Sequence, residues 1–281
     1  MNKKRKILIV GPIVFDTIKN KEHYGGTAAN IAYGLGILGA KPILFSAVGH
    51  DFLDSYRKHL ENNKVVLKVH IDKRNKTARY YDFLGSLKKQ NVWHPNAHKN
   101  ITNISMQEFF SKKDLENISF AIFSSNTPQS TFKHMKEFKK YSKNAIIIFD
   151  PGTMKKYYTK KYFRKCLNLC NLVILNEFEY IYASKVLGVD MKKFLFNTKK
   201  IVIETKGDKG SEVLQNKKKI KIPIVRSKNI VDTTGAGDAY RAGLVFGLWN
   251  GKTLEEACKI GARMSSKNVE FLGCQKYKFS L

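Results

Sequence analysis

Short apolar runs separated by helix-patterned segments recur along most of this chain, and that rhythm restricts the fold more than any other feature. Ile7-Leu-Ile-Val10 is the first such run, followed by a turn at Gly11-Pro12. Others lie at 42–48, 120–124, 145–149, 171–175 and 200–205. Runs this short, without regular alternation, fit strands buried on both faces. Between them, residues 26–39, 51–62, 129–141, 160–169 and 177–187 read as helices. The first of these puts Ile31, Ala32, Leu35 and Leu38 on one face and ends at a glycine. The pattern predicts an α/β fold of three layers, a mostly parallel central sheet with helices on both faces. Residues 211–214 and 219–223 suggest a late antiparallel hairpin at the sheet edge, and 236–249 and 253–270 two closing helices.

Residues 65–92 break the rhythm. The segments 65–71 and 77–83 alternate in part and flank a polar turn at 72–76, so they predict a hairpin. Such an insertion is expected to form a flap over an active site. With no internal repeat, low-complexity tract or long linker, the expectation is a single domain over 1–281 with a lid mainly from 65–92.

Composition narrows the function. An apolar fraction of 43% among 281 residues supports a full core. No uncharged apolar run of about 18 residues is present, which argues against a membrane span. The opening apolar stretch is too short for a signal peptide, so a cytoplasmic protein is expected. Cys166, Cys170, Cys258 and Cys274 form no Cys-x-x-Cys pair and no zinc pattern, so buried thiols are expected. Fifty-one basic residues against 23 acidic ones give a formal charge of +28. The excess is mostly lysine, scattered in short clusters without a zinc finger or an aromatic RNA-binding motif. It reads as a solvated basic surface that attracts a polyphosphate rather than as a nucleic-acid interface.

The segment Asp232-Thr-Thr-Gly-Ala-Gly-Asp238 carries the chemistry. A Thr/Gly turn runs into an amphipathic helix, whose first N–H groups and positive dipole end bind phosphate oxygens. Gly235 and Gly237, lacking Cβ, let the backbone approach a ligand. Asp238, in the first helical turn, is placed to take a proton from a hydroxyl as its oxygen attacks phosphorus. The plain alternative is a helix cap. Gly34-Leu-Gly-Ile-Leu-Gly39 fits a dinucleotide fingerprint but lies late in a helix, without the strand that such a fingerprint must follow. No Gly-x-x-x-x-Gly-Lys-Ser/Thr loop occurs, so the phosphate site falls on the 235–237 turn.

The 232–238 string resembles the C-terminal signature of the ribokinase-like, or phosphofructokinase-B type, carbohydrate kinases. Gly25-Gly-Thr-Ala-Ala-Asn30 with the helix after it, then Phe45-Ser-Ala-Val-Gly-His-Asp51, resembles the N-terminal one. Asn176-Glu-Phe-Glu179 and Thr205-Lys-Gly-Asp-Lys-Gly210 fall between them in the family's order. The resemblance implies a ribokinase-like kinase with Asp238 as base and the backbone of Gly235, Ala236 and Gly237 as anion hole. It implies acceptor binding by Asp16, Gly25, Gly26 and Asn30. Nucleotide contacts would come from Asn176, Thr205, Gly207, Gly210 and Thr234, with Glu179 reaching Mg²⁺ through water. ATP is then the co-substrate, a monovalent cation is a further possibility, and the state is a monomer or homodimer.

The 26–33, 92–97, 149–152 and 269–277 segments resemble an adenosine-kinase-like subgroup, which implies a nucleoside acceptor, adenosine first. Phe15, Tyr81, Phe83 and Trp93 are candidates for a wall against its base. A sugar acceptor of the ribose or fructose kind, or a non-catalytic basic binding protein, are the alternatives. The chain departs from the family between Asp16 and Gly25, where only Thr17 to Tyr24 intervene. Relatives place more there, including lid strands, so a shortened lid is expected, with 65–92 as the main flap.

Overall fold

The structure is a computed structural model that describes residues 6–82, 92–196, 198–215 and 217–280. Its strands are β1 (Lys6–Val10), β2 (Val14–Ile18), β3 (Lys21–Gly25), β4 (Ile43–Gly49), β5 (Val66–Asp72), β6 (Ala78–Asp82), β7 (Val92–His94), β8 (Ile118–Ser124), β9 (Ile146–Asp150), β10 (Leu172–Asn176), β11 (Ile201–Thr205), β12 (Ser211–Gln215) and β13 (Lys218–Ile222). Its helices are α1 (Thr27–Ile37), α2 (Ser55–Asn62), α3 (Lys112–Glu116), α4 (Pro128–Tyr141), α5 (Lys160–Leu169), α6 (Glu177–Leu187), α7 (Met191–Leu195), α8 (Ala236–Trp249) and α9 (Leu254–Asn268).

Nine of the described strands form one sheet, in the order β13-β12-β11-β10-β9-β8-β1-β4-β5. From β11 to β5 every pairing is parallel, and β12–β13 close one edge as an antiparallel hairpin. Alternate residues of β1 feed different cores. Ile7 and Ile9 join the core that includes α1, α8 and α9, whereas Leu8 and Val10 join the one under α4, α5 and α6. This three-layer arrangement is the one expected from the apolar runs, and it fits the ribokinase-like fold that the motif resemblance implies. The four cysteines are free and buried. Among the described residues no helix is long and apolar enough to cross a membrane.

From β1 the chain builds outward through β4 and β5, then returns to add β8 to β11 on the other side. Strand order therefore reverses between β1 and β8. A crevice opens at such a switch point beyond the carboxyl ends of the strands. Ser124, Asp150, Asn176 and Thr205 are the last residues of β8, β9, β10 and β11, which places all four at that edge.

The expected hairpin over 65–83 is corrected. β5 runs parallel to β4 along its whole length, from Ile43 opposite Val66 to Gly49 opposite Asp72, and so ends the main sheet. The next turn leads away. Asp72 accepts hydrogen bonds from the Arg74 and Asn75 backbone, and Asp51 Oδ1 accepts one at 2.7 Å from the N–H of Thr77. β6 then enters a separate four-stranded sheet of order β3-β2-β6-β7, parallel to β2. The short Thr17 to Tyr24 segment keeps its own lid hairpin, contrary to expectation. β2 and β3 pair antiparallel around Lys19 and Asn20 with φ of 49° and 61°, the two-residue turn whose twist suits a hairpin.

Candidate active site

The turn before α8 is held from two sides. Asp232 accepts the Thr234 N–H at 2.9 Å through one oxygen and the Gly273 N–H at 3.1 Å through the other. It is thus a brace between this turn and the C-terminal segment. Gly235 caps α8 with φ of 79°, and a Cβ there would lie 2.8 Å from both Cβ and Sγ of Cys274. Only glycine meets both demands. The first-turn N–H groups of α8, which no intrahelical carbonyl can serve, border the crevice.

Asp238 stands in that first turn with Oδ2 2.8 Å from the Asn30 amide nitrogen on α1. Burial pushes its carboxyl up to about 7; Arg241 and the Asn30 amide pull it down, and Asp150 and Glu179 push it further up. One helical turn on, Arg241 is buried. Its Nη2 donates to Asp150 Oδ1 at 2.8 Å, its Nε lies 2.7 Å from Asp150 Oδ2, and its Nη2 lies 3.8 Å from Glu179. Ser124 Oγ donates to the same Asp150 at 2.6 Å. Glu179 is locked in a capping box with Asn176, whose backbone and side-chain nitrogens donate to it at 2.8 and 2.9 Å. Burial raises the Glu179 carboxyl, Arg241 opposes this and Asp150 adds to it. One buried guanidinium thus faces three carboxylates at the base of the crevice.

The small sheet supplies the opposite wall. Asp16 on β2 lies across from Tyr80 on β6, and Tyr80 across from Trp93 on β7. Residues directly opposite share a sheet face, so a carboxylate and two aromatic rings form one row, and all three line the crevice. Gly25 makes room for Asp16, because a Cβ there would come 1.7 Å from Asp16 Oδ2. Gly25→Ala is therefore expected to displace the Asp16 carboxylate and raise the acceptor KM at least about 10-fold. ATP KM and the melting temperature should change little; steady-state kinetics beside a thermal melt checks this.

The crevice has a volume of about 810 Å³. Asp16, Gly26, Asn30, Asn176, Glu179, Thr205, Gly207, Thr234, Gly235, Gly237 and Asp238 all border it. Gly25, Ala236 and Gly210 are not among its lining residues. Gly25 acts behind Asp16, and Gly210, with φ of 79°, closes the turn by accepting the Lys206 N–H at 2.8 Å. Of the aromatic candidates among the described residues, Trp93 alone lines the crevice. Phe15 packs edge-on against Tyr56, Tyr81 packs against His94, and Phe83 lies outside the described residues. Sequence reasoning assigned no role to Tyr80, Asp150 and Arg241. The signal for Asp150 was a lone acid ending an otherwise apolar strand; Arg241, one turn after Asp238, was the only cation on that face.

Free N–H groups at the start of α8, a buried carboxylate beside them and a wall with a carboxylate and two aromatic rings border one crevice, an arrangement suited to phosphoryl transfer to an alcohol. The chain belongs to the pfkB family of carbohydrate kinases, whose family model matches residues 11–278. A nucleoside kinase of Methanocaldococcus jannaschii is 31% identical over 294 residues, covering 97% of this chain and 93% of the relative. The crystal structure of the M. jannaschii nucleoside kinase, an archaeal member of the ribokinase family, superposes with a TM-score of 0.84 at 28% identity. That match covers 99% of this chain and 96% of the other. An ATP-dependent 6-phosphofructokinase of Thermoanaerobacterium thermosaccharolyticum is 26% identical over 300 residues, 97% of this chain and 90% of the relative. The enzyme is thus a nucleoside or sugar kinase of the ribokinase kind.

Proposed function

We propose that this kinase transfers the γ-phosphoryl group of ATP to the primary hydroxyl of a nucleoside, adenosine being the first candidate. The observation that carries the reading is the row Asp16–Tyr80–Trp93 facing Asp238 across the crevice. A carboxylate can accept two vicinal hydroxyls of a ribose, and adjacent aromatic faces can take a base. The 31% identity to a nucleoside kinase supports the same reading.

In the proposed reaction Asp238 takes the proton of the acceptor hydroxyl as that oxygen bonds to the γ-phosphorus. The bond from phosphorus to the bridging oxygen breaks, and ADP leaves with its electron pair. The N–H groups of Gly235 and Gly237 receive the charge on the transferred group, the Ala236 N–H being donated to the Thr233 carbonyl at 3.2 Å. Thr205, Gly207, Asn176 and Thr234 border the nucleotide side of the crevice.

Magnesium fits this site through water. Both Glu179 oxygens are engaged by Asn176, and among the described residues no cluster of three or more acidic, histidine or cysteine side chains forms a cage. A hard cation that keeps its waters and sits on phosphates suits such a carboxylate-rich floor, where it would neutralise phosphate charge. Glu179 would hold one of those waters.

ADP release from ATP and Mg²⁺, measured over adenosine, guanosine, cytidine, ribose and fructose, tests the reading. Trp93→Ala should raise the adenosine KM about 10-fold and leave ATP KM unchanged. Turnover on sugars alone would overturn the nucleoside assignment in favour of a sugar kinase, the reading that the 6-phosphofructokinase relative favours. ATP-independent, salt-sensitive retention on nucleic acid without turnover would favour a binding protein.

A further inference from the structure

We propose that Gln275 is a positioning residue for the base: it orients the Asn30 amide so that Asn30 donates to Asp238. The proposal rests on Asp238 being the general base. Gln275 is buried and does not line the crevice, so it touches neither reactant, and its amide nitrogen donates to Asn30 and to Tyr56.

The hydrogen bonds run in one direction. The Gly25 carbonyl can only accept, so the Tyr56 hydroxyl, 2.6 Å away, donates to it. Having used its proton there, Tyr56 Oη must accept in its other bond, from the Gln275 amide nitrogen at 2.7 Å. The same nitrogen lies 2.9 Å from Asn30 Oδ1. With acceptors on both sides, the NH₂ edge of Gln275 belongs there. That pins the Asn30 carbonyl toward Gln275 and turns the Asn30 NH₂ toward Asp238 Oδ2 at 2.8 Å. Without the Gln275 donor the Asn30 amide is free to flip, and its oxygen would then face a carboxylate oxygen.

The segment carrying Gln275 is fixed on both sides. Gly273 N–H donates to Asp232, the residue that also braces the phosphate-binding turn. The Tyr33 hydroxyl of α1 donates to the Tyr277 carbonyl at 2.8 Å. Cys274 packs in the space that Gly235 leaves by lacking Cβ. Gln275 thus sits between two anchors, one on the turn that holds phosphate and one on the helix that carries Asn30.

The charged and titratable groups facing Asp238 are Arg241 on its own helix, Asp150 at the end of β9 and Glu179 on α6. Cys274 and Tyr277 face it from the C-terminal segment. The His59 ring of α2 faces Gln275. An apolar substitution of Gln275 changes none of these charges. The Asn30→Ala background therefore separates an effect passed through the Asn30 donor, which favours the ionised form of Asp238, from one passed through Tyr56 or His59.

Steady-state kinetics over a pH series, with Gln275→Met, Asn30→Ala and the double variant, tests this. Gln275→Met should lower kcat/KM for the acceptor about 10-fold near neutrality. It should also move the acidic limb of kcat/KM up by about one pH unit, with ATP KM unchanged. In the Asn30→Ala background the same substitution should add no further shift. Gln275→Asn keeps an amide but falls one carbon short of Asn30. It carries the same prediction should Gln275→Met fail to fold. A Gln275→Met profile that superimposes on the wild type, or a shift that persists in full without Asn30, overturns the proposal. Asp238→Asn separates the levels. If that variant turns over normally, the base assignment fails; if it is dead while Gln275→Met is unshifted, only the Gln275 role fails.

Discussion

Asp238→Asn is expected to lower kcat about 1,000-fold while ATP binding stays within about 2-fold of the wild type, the loss typical of removing a placed general base. The substitution keeps the shape of the side chain and an oxygen for the Asn30 amide to donate to, so the fold is retained. Burial holds the Asp238 carboxyl near 7, so wild-type kcat/KM should decline as pH falls below about 7. Stability moves the other way. A carboxyl whose value is raised on folding binds its proton more tightly in the native state, so its contribution is intact below about pH 4 and lost as pH rises through about 7. Asp238→Asn should therefore melt higher than the wild type above pH 7, with the difference vanishing at low pH. Turnover above a tenth of the wild-type rate would remove Asp238 from the role of base.

Arg241→Leu should bring the largest loss of stability, about 3–5 kcal/mol, or on the order of 10 °C in Tm. Arg241 is 5% exposed and its partners Asp150 and Glu179 are 1% and 4% exposed. Leucine removes the guanidinium that they share and leaves two buried carboxylates facing Asp238. Burial already raises the Glu179 carboxyl, and without the guanidinium it takes up a proton more readily, so the variant should recover stability as pH falls, whereas an ordinary cavity would cost the same at every pH. Arg241→Lys keeps the charge but not the planar fork that reaches both Asp150 oxygens, and should fall between the two. Chemical denaturation at two pH values measures both effects. A loss below about 1 kcal/mol would show that the cluster is already neutralised by protons.

How much of this was legible in the sequence depends on the range of the forces involved. The strand and helix alternation, the capping box at Asn176 and Glu179, and the turn into α8 all rest on contacts within a few residues. Asp16, Asn30 and Asp238, singled out through the order of motifs, border one crevice, since the switch point gathers the strand ends there.

The lid was different. Whether 66–72 folds back on 78–82 or joins the main sheet depends on β4 offering a free edge and on Asp51 and Asp72 steering the next turn. No local period encodes that choice, and half-alternating strands suit either partner. The polar network behind the base is further still from the sequence. Asn30 and Asp238 are 208 positions apart and Gln275 and Asn30 245 apart, so a glutamine near the C-terminus acquires its meaning only when α1, α2 and α8 close around it. The turn proposed to hold phosphate is dictated by backbone geometry that a short motif can encode. Those that aim the touching residues are set by tertiary packing, because a hydrogen bond records only which atoms meet, whatever the length of chain between them.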